Sequence, residues 1–187
     1  MIAVRDLDAA AASFRELGFT LTPRGRHSIG SENHCIMFGS TYIELLAAPT
    51  PHPWLDYYRT FLESGDGLAA IALTTDDAQT AYRALPGAKK PMELSRPVEG
   101  GVAGFRLVQI ENIPSVFICQ HLTRELVWRP HWQKHVNGAS ELLGISVPMK
   151  QPFADLPQNI EWSSPSMLRI RGKGKATETH GVRLVFD

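Results

Sequence analysis

The chain has 187 residues, of which 43% are hydrophobic and 20% charged, with a formal net charge of zero and a pI near 7.1. That balance suits one globular domain, or two small modules sharing a core, and excludes the large basic field that binding to nucleic acid or anionic lipid requires. No apolar run approaches the ~18 residues of a bilayer span, and the opening residues lack the pattern of a secretory leader, so a cytoplasmic location is expected. Cys35 and Cys119 lie far apart in apolar runs. They read as buried free thiols, which fits a reducing compartment.

Residues 2–4 read as the second half of a buried strand, and 6–17 as a helix. Asp6 or Asp8 can accept from the free amides at its start. Ala10, Phe14 and Leu17 share one face, and Gly18 can end the helix in the left-handed region. Residues 19–22 are expected to form the next strand. In "NHCIMFGSTYIELLA" two apolar runs flank Gly39-Ser40, which predicts a hairpin with strands at 33–38 and 41–47. The prolines of "APTPHPW" interrupt regular structure. Residues 54–64 then read as an amphipathic helix closed by Gly65 and Gly67.

A similar order follows. "GLAAIALTTDD" is a strand running into capping aspartates, and "AQTAYRAL" is a helix stopped by Pro86-Gly87. "GGVAGFRLVQI" and "SVFICQHLT" are two strands separated by "ENIP". The repetition over 1–48 and 67–123 suggests paired modules, each too small to bury its own sheet. A weaker third echo has strands in "SELLGISVPM", "SMLRIRG" and "GVRLVFD", with a turn or short helix in "QPFADLPQ". The polar "GKGKATETHG" is expected to be a mobile loop.

The segments "IAVRDLDAAAASFRELGF", "TYIELLA" and "IALTTDDAQTAYRAL" resemble the vicinal oxygen chelate superfamily, which includes glyoxalase I, extradiol dioxygenases and bleomycin-resistance proteins. The likeness is closer to the bacterial glyoxalase-like domain group, whose second unit runs into a segment like "WRPHWQKHVNGA". It covers about residues 2–147, with a weaker tail. The resemblance implies an α+β fold of paired βαβββ modules whose curved sheets enclose a cavity. The expected division is a first module over 1–48 with a truncated opening strand, a connector over 49–66 and a second module over 67–124. Residues 125–187 would form a cavity-crossing segment and a C-terminal half-module.

In metal-dependent relatives a divalent ion (Zn, Ni, Mn or Fe) takes ligands from the first and last strands of each module. The resemblance implies that the first-strand histidine would stand before Met1, so that ligand lies upstream or is dispensed with. Glu44 stands where the family often places a carboxylate. Ala70 stands at the second histidine position, and Cys119 or Gln120 at the last position, depending on a one-residue shift. One standard ligand in four gives a metal little support, since a firm site needs about three protein ligands.

A carboxylate at position 44 in an apolar strand needs a reason. Glu44 could line a wet cavity, hold a metal, or serve as a metal-free acid or base. His34 depends on hairpin register. A two-residue loop sets Cys35 opposite Glu44 and turns His34 away, whereas a three-residue loop turns His34 toward it. "QHLTRELVWRPHWQKHVNGA" carries His121, Trp128, His131, Trp132, His135 and Asn137. A short helix over 130–136 would align His131 with His135; otherwise the tryptophans pack or form apolar walls while His135 and Asn137 make polar contacts. Arg106 could face an anionic ligand or face solvent. The basic run "RIRGKGK" reads as a solvated loop.

The expected function is that of a glyoxalase-like protein with a mostly apolar small-molecule cavity, either a lyase or isomerase using Glu44, or a metal-free binding protein of the bleomycin-resistance kind. A degenerate structural domain is the third expectation. A second subunit, giving a homodimer, or the C-terminal segment is expected to cover the edge left by the short first strand.

Overall fold

The structure is a computed structural model that describes residues 1–153 and 157–187. The first module runs β1 (Ile2–Ala3), α1 (Leu7–Glu16), β2 (Gly25–Arg26), β3 (Glu32–Met37) and β4 (Tyr42–Ala47). Asp6 caps α1 by accepting from the Ala9 amide at 2.9 Å, which satisfies one donor the first turn leaves free. Gly18, at φ 86°, ends it. The Gly39-Ser40 loop is the two-residue kind: the Phe38 amide donates to the Thr41 carbonyl at 2.8 Å, and Cys35 pairs with Glu44. Residues 19–22 form no strand. The Thr20 amide is spent on His135 Nδ1 instead.

A connector carries α2 (Asp56–Glu63) and β5 (Gly67–Leu68). β1 pairs in parallel with β4 and antiparallel with β5, so both its edges are filled from within the chain. The open edge anticipated from the sequence is therefore covered by β5, not by another subunit.

The second module runs β6 (Ile71–Thr74), α3 (Ala78–Ala84), β7 (Met92–Val98), β8 (Gly101–Gln109) and β9 (Val116–His121). Its sheet order, β6-β9-β8-β7, repeats the order β1-β4-β3-β2 of the first, with the first and last strands of the module, β6 and β9, again paired in parallel. The sequence reading missed β7, because Pro97 and the flanking prolines resemble a loop. β7 is nonetheless tied to β8 by a two-residue Glu99-Gly100 turn. This is the α+β fold of paired βαβββ modules.

After α4 (Arg124–Val127) and one 3-10 turn at Pro130–Gln133 come β10 (Glu141–Ser146), β11 (Ile160–Glu161), β12 (Met167–Arg171), β13 (Thr177–Thr179) and β14 (Val182–Phe186). They form a third sheet in the order β11-β10-β12-β14-β13. The segment expected to be a mobile loop contains β13. The turn or short helix expected over 151–158 falls in part on 154–156, outside the described residues.

The third sheet lies on the helix side of the first module. Leu168, Ile170 and Leu184 join Ile2, Phe14 and Leu45 in one buried cluster. Phe19 stacks on Phe186 at 6.0 Å between centroids. At the β13–β14 turn, His180 Nδ1 lies 2.7 Å from Asp66 Oδ2. Gly181 there has φ 68°, and a Cβ on it would come within 2.2 Å of the Asp66 carbonyl oxygen, so both backbone shape and space require glycine. Because Phe14 is fully buried at this junction, Phe14→Ala is expected to cost about 3–5 kcal/mol, read from urea unfolding. A loss under about 1 kcal/mol would contradict a core shared by the first module and the third sheet.

Candidate functional site

The inner faces of the two module sheets enclose a hollow of about 60 Å³. Alternation sets which side chains line it. Asn33, Cys35, Glu44 and Leu46 face inward from β3 and β4, and Leu94, Arg96, Phe105 and Cys119 from the second sheet. Trp54, Leu55 and Tyr58 close it from the connector, and Val127 from α4. A second hollow of about 120 Å³ reaches toward the third sheet, between His121, Trp128 and Ile145. Met1, Tyr42, Glu44 and Cys119 line both, so Glu44 stands at their junction.

Glu44 is 7% exposed. Burial raises its pKa, partly opposed by the Asn33 amide and by more distant positive charge from the amino terminus and Arg96. Asn33 Nδ2 donates to Glu44 Oε1 at 2.7 Å, which orients the carboxyl and leaves Asn33 Oδ1 without a partner. Arg96 is 4% exposed, and its Nε finds no acceptor. His27 is buried beside Ser31, with Nδ1 2.9 Å from Oγ. Burial, helped by Arg96, pushes its pKa down to about 4. His121 sits edge-on to Tyr42, Phe105 and Trp128 at 5.9, 5.0 and 4.8 Å. Burial, with Arg124 and Arg96, takes it to about 4 as well. Neither of its ring nitrogens has a partner.

These orphans share a place. Among the described residues, the buried side-chain nitrogen and oxygen atoms without a hydrogen bond belong to Asn33, Arg96 and His121, and all three residues line the two hollows. A buried polar atom left unmatched costs about 1–3 kcal/mol. Their concentration here marks a space that water or a ligand completes.

The other residues singled out from the sequence lie elsewhere. His34 faces away from Glu44, as the two-residue loop requires, and its Nδ1 donates to the Thr22 carbonyl at 2.7 Å. Arg106 points outward and pairs with Glu93 at 3.1 Å. Gln120 caps α3, accepting from the Ala78 amide and donating to the Asp76 carbonyl. Trp132 packs in the core with Arg129 over its ring. His135 accepts from the Thr20 amide and donates through Nε2 to the Met37 carbonyl. Asn137 donates to the Leu17 carbonyl behind α1. The expected helix over 130–136 is only a single 3-10 turn, and His131 and His135 do not form a pair. Thus Glu44, His121 and Trp128 are brought together, while the rest tie the strap and helix ends in place. Arg96 and Asn33 were both missed: Arg96 would have been found by reading "ELSRPVEGG" as the first arm of a hairpin, and Asn33 by alternation, since it shares the face of Cys35, which pairs with Glu44.

A divalent metal of the kind the resemblance implies does not fit these residues. Among the described residues no three His, Cys, Asp or Glu side chains cluster to hold one. The thiols of Cys35 and Cys119, beside Glu44, are pushed up to about 12, mainly by burial. The buried guanidinium of Arg96 adds positive charge to the same space.

The chain belongs to the glyoxalase-like domain family, whose model matches residues 1–168. Among solved structures, it is similar to a hypothetical protein from Staphylococcus aureus, with 17% identity and a TM-score of 0.74 over 100% of this chain and 96% of that one. A mutant of 4-hydroxymandelate synthase from Streptomyces coelicolor also matches, at 16% identity and a TM-score of 0.42, covering 99% of this chain and 60% of that one. None of the curated proteins searched matches this sequence.

The two interior imidazoles make the site pH-sensitive. An unfolded histidine takes up a proton near pH 6.5, whereas His27 and His121 resist until about 4. Between those values the unfolded chain binds more protons, so stability falls as the pH drops, by up to about 1.4 kcal/mol per unit for each ring. Proton NMR titration is expected to show two histidines with midpoints near 4. Midpoints near 6.5 for all seven histidines would contradict this burial.

Proposed function

We propose that this protein is an acid–base enzyme of the lyase or isomerase kind, acting on a small organic molecule held between its two modules. Glu44 is its proton-transfer group. In the simplest reaction its carboxylate takes a proton from carbon next to a substrate carbonyl, the electron pair moving into the carbonyl to give an enolate. The proton then returns to the enolate oxygen, which completes a keto–enol isomerisation without any oxidant. A carboxyl whose pKa burial raises suits both halves of such a cycle. The observation that carries this reading is the orphaned polar set around Glu44: an oriented carboxyl, an amide oxygen, a guanidinium and an imidazole facing two hollows that share Glu44 in their lining.

A second reading is capture without turnover, as in a sequestering protein. It is favoured by the absence of a metal-ligand cluster among the described residues, since such a role needs only a shaped, mostly apolar space. A reducing cytoplasm is the compartment we propose, supported by Cys35 and Cys119 being buried free thiols, and both roles are compatible with a homodimer.

Hydrogen–deuterium exchange separates the two. With a panel of small 2-oxo acids and ketones in D₂O, the enzyme reading predicts C–H exchange about 10²–10⁴-fold faster with wild type than with Glu44→Gln, while both proteins bind the same compounds in calorimetry. Binding with no exchange in wild type would transfer support to sequestration.

A further inference from the structure

Arg96 is the strongest unclaimed feature of the molecule. It lies on β7, opposite Ala103 of β8, which puts its side chain on the inner face with Leu94 and Phe105. It is almost wholly buried, yet the ion pairs of the described residues leave it out. Glu44, in the same hollow, is engaged by Asn33 instead. Arginine does not escape burial by losing its proton, and a buried charge without a partner costs several kcal/mol.

The fold makes specific room for it. The point where a Cβ would stand on Gly25 is 2.5 Å from Arg96 Nη1 and 2.4 Å from Asn33 Oδ1. Only a hydrogen leaves space for the guanidinium there. The edge that carries it is also fastened to the first module: the Ser28 amide donates to the Ser95 carbonyl at 2.8 Å, and the Ser95 amide to Ser28 Oγ at 3.3 Å.

We propose that Arg96 is the recognition group for the carboxylate of a small monoanionic ligand whose apolar body packs among Trp54, Leu55, Phe105, Leu107 and Phe117. A guanidinium fork matches a carboxylate in two parallel bonds, and the walls beside it are apolar. A more highly charged anion such as a phosphate ester fits less well. Among the described residues no lysine or second arginine lines either hollow, and an ionised Glu44 would oppose extra negative charge. This inference rests on the reading of the hollow as a small-molecule site and adds the chemical class of what it takes. In that arrangement the ligand's carboxylate end is held at Arg96, and the rest of it extends toward Glu44.

Calorimetry with isovalerate, benzoate and phenylacetate, each beside its neutral amide, tests the proposal. Wild type is expected to prefer one or more carboxylates over their amides by roughly 30-fold or more. Arg96→Met, which keeps length and removes charge, is expected to abolish that preference while unfolding no more easily than wild type. Arg96→Lys, which keeps charge but not the fork, is expected to retain part of it. Equal binding of acids and amides by wild type, or a preference that survives in Arg96→Met, would overturn the role of Arg96 and leave the small-molecule site standing. Failure of acids and amides alike to bind wild type would bring down the site, and this proposal with it. The acid-to-amide comparison needs no mutant, so it decides the matter even if Arg96→Met does not fold.

Discussion

Glu44 and Arg96 bring a carboxyl and a guanidinium into the same interior space and are not paired with each other. That separation governs the rest of the structure. Two buried charges at hydrogen-bonding distance would cancel and leave a filled, inert core. Asn33 gives its nitrogen to Glu44 and leaves its oxygen unmatched, and the space beside Gly25 is bounded by both that oxygen and Arg96 Nη1. The result is an oriented acid and an open cation facing one space.

The paired modules supply what such an arrangement needs. Each βαβββ sheet turns one face to its helix and one inward, so two sheets set face to face can surround a space that neither could enclose alone. The inward faces are mostly apolar, which strengthens every electrostatic interaction inside. The third sheet does a different job. It thickens the core behind α1 and lends Leu142, Ile145 and Leu168 to the second hollow. Family membership accounts for the architecture, and the likeness at 17% identity is a likeness of fold. The site has to be read from its own residues.

Much of the fold was legible in the sequence because local chemistry and tertiary structure agree there. Asp6 and Gly18 bracket a helix whose buried face is the one its periodicity indicates. The Gly39-Ser40 hairpin has the register that a two-residue loop dictates, and a carboxylate in an otherwise apolar strand was a sound pointer to the interior. β7 and β13 were not legible. β7 contains a proline and follows a lysine- and proline-rich loop, while β13 is a three-residue strand in a glycine- and threonine-rich stretch. Losing β7 meant losing Arg96. Arg106 also alternates with apolar neighbours in the sequence but lies on the outer face, across from Glu93. The histidines of the strap were misleading for another reason. His135 and Asn137 satisfy backbone groups left free at the end of α1 and along β3, and a sequence does not show which distant amide a side chain will meet.

The most direct test of the central claim is a crystal structure of the protein with 4-bromobenzoate, using the anomalous signal of bromine to fix the ligand's orientation. The account predicts the carboxylate within hydrogen-bond distance of the Arg96 guanidinium, with the bromine between apolar walls of the hollow and Glu44 still bonded to Asn33. A guanidinium turned onto Glu44 in a closed core, with the ligand bound elsewhere or not at all, would contradict it.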